Sequence, residues 1–414
     1  MKNIVVCCDG TGNEISENIS NVLKLYRVVR KTGKAAAQVV FYDPGVGTLA
    51  RPNPWTKFKQ DTVMVMGLAT GYGLDDNVLS AYRFLIQHYE EGDDIYLFGF
   101  SRGAYTVRVL AGLIHKVGIL APQQSNLADA ALTAYKQASA TIVEQDEEES
   151  RNRAAHEGEE GPQPGPSTRD DQASQFARIV STRWPTIKFL GVWDTVASVI
   201  VPRPDRFYTF SLQKLAFTQH NPSVKIFRQA IAIDERRRMF RLEPWRDPQI
   251  YMHNRFSATN NADPQDILQV WFAGVHADIG GGYPEKESGL SKFPLLWMIG
   301  EAEKCGLAVD TRAVNQLARG VQRKGSPFSY VAPDIMRDPH DSMGNAWRPL
   351  EWLPKADKYK EWSERRSFLG RYIPGAEPRV IPPDAFVHQS VLDRMAAVSK
   401  YRPVNLPPTP RVIP

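Results

Sequence analysis

A pentapeptide of the form G-x-S-x-G, residues 99–103 (GFSRG), is the segment whose residue types and spacing point most directly to chemistry. An apolar run precedes its central serine, Ser101, and an amphipathic run follows it, which predicts a strand, a sharp turn and a helix. Such a turn exposes the serine hydroxyl, and glycines on either side avoid the clashes that Cβ atoms would cause. We therefore predict that Ser101 is the nucleophile of a hydrolase.

A serine nucleophile needs a base, and seven histidines follow Ser101 in the chain. Of these, His276 directly follows a strand-like run and precedes three consecutive glycines at 280–282. In α/β-hydrolases the chain order is serine, acid, histidine. This order and the position after a late strand predict His276 as the general base.

Three aspartates compete for the role of the acid that orients this base. Asp194 follows the predicted strand 187–193 directly, where such an acid belongs. Asp234 lies in a segment whose apolar spacing suggests a helix, with three arginines after it that suggest surface ion pairs. Asp278 is expected to support the site by hydrogen-bonding the glycine-rich turn. We favour Asp194.

The reaction also needs donors for the oxyanion of the tetrahedral intermediate. One should be the backbone N–H of Arg102, the residue after the nucleophile. The other should come from the loop after the first strand, from Gly10 or Thr11. Asp9 is expected to hold this loop through side-chain bonds to the backbone.

The same loop suggests two other chemistries, and the sequence argues against both. Apolar residues followed by Asp-Gly-Thr resemble the first motif of aspartate-nucleophile phosphatases, but Cys7 stands where the nucleophilic carboxylate would be. Dinucleotide binding would need a third glycine where Ile15 stands. No zinc signature is present, and although His276 and Asp278 suit a metal, no further ligands can be named. We expect neither a metal nor a cofactor.

Short, continuous apolar runs alternate along the chain with segments of helical spacing. Continuous runs are typical of strands buried on both faces, as in a parallel sheet. The alternation predicts an α/β fold, a mostly parallel, doubly wound sheet of the α/β-hydrolase type with its site at the carboxyl ends of the strands. The predicted strands are 4–8, 39–42, 95–100, 187–193 and 267–275, and the predicted helices centre on 22–29, 78–89 and 295–302.

The chain divides into a predicted catalytic domain, 1–310, and a C-terminal extension, 311–414, that packs on it. Within the domain, residues from about 144 to 175 are acidic, rich in Gly, Pro and Ser, and lack a period, which predicts a disordered insertion. Residues from about 202 to 264 are rich in aromatic and basic side chains and are expected to form a cap.

The composition of the 414 residues is typical of a globular protein, with 42% hydrophobic and 23% charged residues. Three cysteines form no disulfide framework, and neither a signal peptide nor a membrane span is evident. We expect a protein made in the cytoplasm, with delivery outward only by a route that needs no signal. The net charge of +5 becomes +12 outside the acidic insertion, which favours contact with an anionic membrane surface; no nucleic-acid partner is expected.

Eight short motifs stand in order along the first 306 residues: 8–11 (CDGT), 20–22 (SNV), 42–48 (YDPGVGT), 71–77 (GYGLDDN), 99–104 (GFSRGA), 191–196 (GVWDTV), 232–237 (AIDERR) and 274–283 (GVHADIGGGY). Together they resemble the α/β-hydrolase family that includes the type VI secretion phospholipase effectors. The resemblance implies a Ser–Asp–His triad at Ser101, Asp194 and His276. It also implies hydrolysis of a lipid ester, with a glycerophospholipid acyl ester as the expected substrate.

Two alternatives stay open at this point. One is a hydrolase of small soluble esters or thioesters. The other is an interaction module that retains the serine turn without catalysis. The sequence names neither a secretion partner nor an immunity partner.

Overall fold

The structure is a computed structural model of the chain. It describes residues 1–10, 19–31, 37–45, 73–155, 171–180, 182–196, 200–203, 209–212, 215–253, 256, 262–344, 347–357 and 360–414.

An eight-stranded sheet forms the centre of the described fold, and every neighbouring pair in it is parallel. Its strands are β1 (Asn3–Cys8), β2 (Gln38–Asp43), β3 (Asp94–Phe100), β4 (Ile187–Trp193), β7 (Val224–Ala232), β10 (Asp266–Phe272), β14 (Phe386–His388) and β15 (Arg411–Ile413). The order across the sheet is β15-β14-β10-β7-β4-β3-β1-β2. Because β2 and β3 lie on opposite sides of β1, the strand order reverses there and leaves a crevice at the carboxyl ends of β1 and β3.

Short antiparallel pairs lie outside this sheet. They are β5 (Ile200–Arg203) with β6 (Thr209–Leu212), β8 (Ile250–Tyr251) with β9 (Asp263–Pro264), and β11 (Lys355–Ala356) and β12 (Ser367–Phe368) on either side of β13 (Arg371–Tyr372).

Helices cover both faces of the sheet. They are α1 (Asn21–Val28), α2 (Leu74–His88), α3 (Arg102–Val117), α4 (Ala128–Ala155), α5 (Gln172–Val180), α6 (His276–Gly280), α7 (Lys292–Lys304), α8 (Thr311–Leu317), α9 (Arg348–Glu351) and α10 (Gln389–Ala397). One hydrophobic core contains residues of α2, α3 and α4, and a second contains residues of α1, α7 and α8. This is the α/β, doubly wound, parallel arrangement that the sequence predicts.

Strand β3 shows why continuous apolar runs form this sheet. Its successive side chains enter opposite cores, with Ile95 and Leu97 on one side and Tyr96, Phe98 and Phe100 on the other. All five are almost fully buried. A strand in this position needs apolar residues at every position instead of every second one.

The prediction of a helix from Val224 to Ile231 is wrong, because these residues form β7 in the middle of the sheet. The same finding corrects the predicted cap at 202–264, since part of that range is a core strand. Polar residues interrupt the apolar run of β7 and imitate helical spacing. They are paired inside the fold: Gln229 accepts a bond from Arg108 (2.8 Å), and Arg228 donates to Glu301 (2.7 Å).

The acidic segment from about 144 to 175, which the sequence predicts to be disordered, is helical at both ends. Helix α4 continues to Ala155, and α5 begins at Gln172. Residues 156–170 of the predicted insertion lie outside the described residues.

The C-terminal extension takes part in the sheet. Strand β14 pairs with β10, and β15 pairs with β14, so the extension adds two strands to one edge of the sheet. None of the described helices is both long enough and apolar enough to span a bilayer.

Candidate active site

Ser101 lies on the sharp turn between β3 and α3. Its backbone has φ 56° and ψ −121°, a conformation that residues with a side chain rarely adopt. The flanking glycines make the turn possible. A Cβ on Gly99 would lie 2.4 Å from the carbonyl oxygen of Gly103, and a Cβ on Gly103 would lie 2.1 Å from that of Cys8. The strain is of the kind that active sites hold in place through the surrounding fold.

Asp194 follows β4, the neighbour of β3, and is fully buried. It also has a positive φ, 39°. Its Oδ1 accepts the backbone N–H of Ala232 at 2.9 Å, and its Oδ2 lies 2.5 Å from Nδ1 of His276. Ser101 is tied to the same strand end, since its N–H donates to the carbonyl of Trp193 at 3.1 Å.

His276 begins α6, just after β10, and its ring lies between two phenylalanines. The ring centroids of Phe100 and Phe240 are 4.7 and 4.9 Å from that of the imidazole. Burial lowers the pKa of His276 below 6.5, although its bond to Asp194 opposes the shift. Since Phe100 immediately precedes Ser101, this packing brings the imidazole beside the serine turn.

Two acidic residues after β7 hold the loop that carries His276. Asp234 Oδ2 accepts the N–H of Gly274 at 2.7 Å and the hydroxyl of Tyr401 at 2.9 Å. Glu235 accepts the backbone N–H of His276 at 3.2 Å. Burial raises the pKa of Asp234 to about 6. Asp234 is therefore an internal support of the histidine loop, and the prediction that it forms surface ion pairs is wrong, because its largely buried side chain bonds Gly274 and Tyr401.

Asp278 supports the same loop from the other side. Its Oδ2 accepts the N–H of Val275 at 3.1 Å, and its Oδ1 lies 2.7 Å from Nδ1 of His340. The bond to Asp278 raises the pKa of His340, against the effect of burial. The carboxylate thus joins the turn to the C-terminal extension.

The structure describes two of the three expected oxyanion donors, Arg102 and Gly10. Arg102 is the first residue of α3, where backbone N–H groups have no partner within the helix. Gly10 already donates its N–H to Oδ1 of Asp9, at 2.7 Å, which differs from its expected role as a donor to substrate. Asp9 also accepts the hydroxyls of Ser20 and Tyr42 and so anchors the loop. Thr11 lies outside the described residues.

The family of this chain follows from comparison with known proteins. The family described as "T6SS, Phospholipase effector Tle1-like, catalytic domain" matches residues 2–301. The chain belongs to this family.

One curated relative matches this Tle1-like chain over part of its own length. An uncharacterised protein of Saccharomyces cerevisiae, YEL023C, is 30% identical over 264 residues, which cover 62% of this chain and 34% of the yeast protein. The chain therefore spans about a third of the curated relative that it matches.

Two solved structures are similar to the Tle1-like chain. An uncharacterised protein from Pseudomonas aeruginosa has 16% identity and a TM-score of 0.36, and the match covers 75% of this chain and 47% of that one. The Tle1 effector, solved bound to the VgrG spike of the type VI secretion system, has 18% identity and a TM-score of 0.30, with 70% and 52% covered.

Arg379 contacts the site but lies beyond residues 2–301, which the family matches, and the sequence analysis did not predict it. Arg379, in the C-terminal extension, donates from Nη1 to Oδ1 of Asp194 at 2.6 Å and from Nη2 to Oδ2 at 3.0 Å. Asn405 holds the Arg379 carbonyl at 3.0 Å. Burial would raise the pKa of Asp194, but the charge of Arg379 and the bond from His276 hold it well below its usual range. Asp194 is thus an ion between two donors.

The described part of this Tle1-like chain shows no group of three or more His, Cys, Asp or Glu side chains that could hold a metal ion. A cavity of about 620 Å³ adjoins the histidine loop, lined by Asp234, Val275, Trp352 and Tyr401 among others. It lies between the catalytic part and the extension, and it includes residues of both.

Proposed function

We propose that this chain is a serine hydrolase that cleaves acyl esters of glycerophospholipids. The observation that carries the proposal is the 2.5 Å contact between His276 Nδ1 and Asp194 Oδ2, at the strand ends where Ser101 occupies its strained turn. Membership in a phospholipase-effector family supports the lipid substrate.

In the first half of the proposed reaction, Ser101 Oγ attacks the ester carbonyl while Nε2 of His276 takes the hydroxyl proton. Since the pKa of His276 is lowered, the imidazole is neutral at physiological pH and ready to act as the base. Asp194 fixes the tautomer with the proton on Nδ1 and stabilises the imidazolium that forms. The backbone N–H of Arg102 is the proposed donor to the oxyanion.

The tetrahedral intermediate then collapses. His276 gives its proton to the leaving alcohol, and the acyl group stays on Ser101 as an ester. Water attacks this acyl-enzyme with His276 again as base, releasing the fatty acid and restoring the serine. The cycle needs no group beyond these residues and water.

Ser101→Ala tests the proposal on vesicles of mixed phospholipids. Fatty-acid release by the wild-type chain should fall by about 10⁴-fold or more in the variant, because the nucleophile is lost. A fluorophosphonate should label the wild-type protein at Ser101 and leave the variant unlabelled. Equal release by both proteins would refute the mechanism. Release from soluble short-chain esters alone would keep the mechanism and replace the lipid substrate.

Delivery to a target cell is a separate proposal that rests on family membership. We propose export by a type VI apparatus that needs no signal peptide. Comparing secretion from a host strain with and without a working apparatus tests it, and equal amounts outside both strains would contradict it.

A further inference from the structure

The small sheet of β11, β12 and β13 in the extension has one buried and one open face. In the β12–β13 hairpin, Ser367 pairs with Tyr372 and Phe368 pairs with Arg371, so residues 369–370 form the turn. Side chains alternate between the faces of a strand. Tyr372 is 2% exposed, so its face is turned toward the protein. Phe368 and Arg371 therefore share the outer face, and Ile373 follows on the same side.

Five large apolar side chains are exposed on or beside this small sheet, and we call them the hairpin surface. They are Trp352 (68% exposed), Leu353 (51%), Phe368 (79%), Leu369 (86%) and Ile373 (45%). Trp352 and Leu353 precede β11, and the N–H of Gly375 donates to the carbonyl of Glu351, which keeps them beside the end of β13. Single exposed apolar residues are normal, whereas several that lie near one another are typical of a binding surface.

The backbone conformation of Leu369 is the strongest evidence that the hairpin surface binds a partner. It occupies the first position of a two-residue hairpin turn, with φ 50°, and Gly370 follows with φ 71°. Asn and Asp are preferred at such a position, because a residue with a larger side chain is strained there. A leucine that is both strained and almost fully exposed stabilises neither the turn nor a core.

Basic side chains surround the hairpin surface. Arg366 and Arg371 are exposed, and neither forms an ion pair with another described residue. Arg365 is also exposed but bonds Glu377 at 3.0 Å, and Glu364, just before the hairpin, is an exposed acid. A tryptophan and leucines flanked by arginines match the boundary between lipid headgroups and acyl chains.

We propose that the hairpin surface docks on an anionic phospholipid membrane, with Phe368 and Leu369 inserted among the acyl chains and Arg366 and Arg371 against lipid phosphates. The docking proposal rests on the proposed function, because it names the surface through which a phospholipid hydrolase would reach its substrate. Its physical content, the adsorption of this surface to lipid, can be measured without any catalysis.

Contacts connect the hairpin surface to the candidate active site. Arg238 donates from Nε to the hydroxyl of Tyr372 at 2.9 Å, and its Nη1 lies 2.6 Å from Glu361. Phe240, two residues later, packs on His276. Trp352 and Val275 line the same 620 Å³ cavity. The small sheet that carries the hairpin surface is therefore packed on residues that contact the candidate active site.

Vesicle binding by the full chain carrying Ser101→Ala tests the proposal without hydrolysis of the lipid. Vesicles of phosphatidylcholine with phosphatidylglycerol are compared with vesicles of phosphatidylcholine alone, using flotation. In this background Leu369→Asn should reduce the partition coefficient about tenfold, and adding Phe368→Thr should reduce it about a hundredfold, as expected for two lost buried side chains. Unchanged binding by the double variant would overturn the proposal.

Two features of the design exclude misfolding as the cause. Asn is favoured at the turn position, so Leu369→Asn should unfold at the same or a higher denaturant concentration than its parent. Phe328→Ser removes another exposed phenylalanine, 65% exposed and outside the hairpin surface, and should bind like the parent. If Phe328→Ser lost as much binding as Leu369→Asn, the assignment to this surface would be wrong.

The charged part of the surface has its own test. Arg366→Gln with Arg371→Gln should weaken binding to the anionic vesicles and leave binding to the neutral vesicles unchanged, and the difference should shrink as salt is added. Equal binding of the parent to both kinds of vesicle would refute the anionic preference.

Hydrolysis of a soluble short-chain ester by the chain with native Ser101 separates the two proposals. Docking variants that hydrolyse this ester normally but lose activity on vesicles support both. Vesicle binding through the hairpin surface without any ester hydrolysis supports docking and refutes the proposed function. Full phospholipid hydrolysis by the double variant refutes docking and leaves the proposed function standing.

Discussion

At the scale of single residues, the charge of Asp194 is divided between two donors. Arg379 bonds both carboxylate oxygens, while His276 bonds one of them. A carboxylate that faces a permanent cation stabilises an imidazolium less than a carboxylate that faces histidine alone. Burial, together with the nearby charge of Arg237, lowers the pKa of His276.

The first prediction concerns the pH dependence of ester hydrolysis. The base must be neutral, so kcat/KM should fall as the pH decreases through the pKa of His276. Because that pKa lies below 6.5, the protein should keep most of its activity at pH 6.5 and lose it only in more acidic solution. A pH profile on a soluble ester measures this. An acidic limb centred above 6.5 would show that another group controls the rate.

The second prediction concerns Arg379. In Arg379→Gln the full charge of Asp194 acts on the imidazole, so the acidic limb of kcat/KM should move to higher pH. The variant should also lose about 3–5 kcal/mol of stability, because a buried carboxylate has lost its cation. Arg379→Lys keeps the charge but not the paired bonds, and its acidic limb should move less.

Arg402→Gln is the matched control for that experiment, since Arg402 is an exposed arginine of the same extension that bonds only backbone carbonyls in the described structure. Its pH profile should equal that of the wild-type protein. A profile of Arg379→Gln that matches this control would mean that Arg379 only stabilises the fold.

The residues of the site differ in how far a sequence can reveal them. Ser101, Asp194 and His276 each follow an apolar run directly, so a parallel sheet brings them to one edge. Arg379 follows no such element and lies 185 positions from its partner. A single sequence carries no signal for that pairing. The bond between Gly10 and Asp9 was equally invisible, because it depends on the local conformation of one loop.

At the scale of elements, strands buried on both faces were predictable where the apolar run was nearly continuous, as in residues 4–8 of β1 and 95–100 of β3. Strand β7 was not predicted, because Arg228 and Gln229 interrupt its apolar run. In the fold these two side chains bond residues of α7, β10 and α3. Short strands such as β14 carry too few residues for any periodicity. The sheet's centre was therefore predictable, while the identity of one central strand and of the C-terminal edge was not.

The third prediction compares two glycines. In Gly103→Ala the added Cβ would lie 2.1 and 2.5 Å from the carbonyl oxygens of Cys8 and Asp9, both backbone atoms of the first strand and its loop. Helix α3 must then move away from β1, which should cost about 1–3 kcal/mol and displace Ser101. Urea unfolding and ester hydrolysis should both show the loss.

Gly300→Ala is the control for that experiment. Gly300 lies in α7, and an added Cβ would meet nothing within 4 Å. Alanine should raise the stability by about 0.4–1 kcal/mol and leave activity unchanged. Equal effects of the two substitutions would show that the close contact at Gly103 is unimportant.

At the scale of the whole molecule, the contacts of the candidate site extend beyond the residues that the family matches. The description ends at residue 301, while the extension supplies Arg379, the partner of Asp278 at His340, and two strands of the sheet. The extension and the candidate site therefore belong to one folded unit.

The fourth prediction follows from this continuity. A chain ending at residue 310 should hydrolyse no ester at a measurable rate, because Asp194 loses its cation and β10 becomes an exposed edge. Fluorophosphonate labelling and circular dichroism of the shortened and full chains measure activity and folding separately. A shortened chain that folds and labels like the full one would show that the extension is dispensable.

The bond between Arg379 and Asp194 also sets an order in time. A ribosome releases Ser101, Asp194 and His276 long before it reaches Arg379, and Asn405, which holds Arg379, comes later still. Until Arg379 has been added, the nascent chain thus carries Ser101 without the ion pair between Arg379 and Asp194. The proposed hydrolase would therefore complete its site only after the C-terminal extension has been made and has folded onto the sheet.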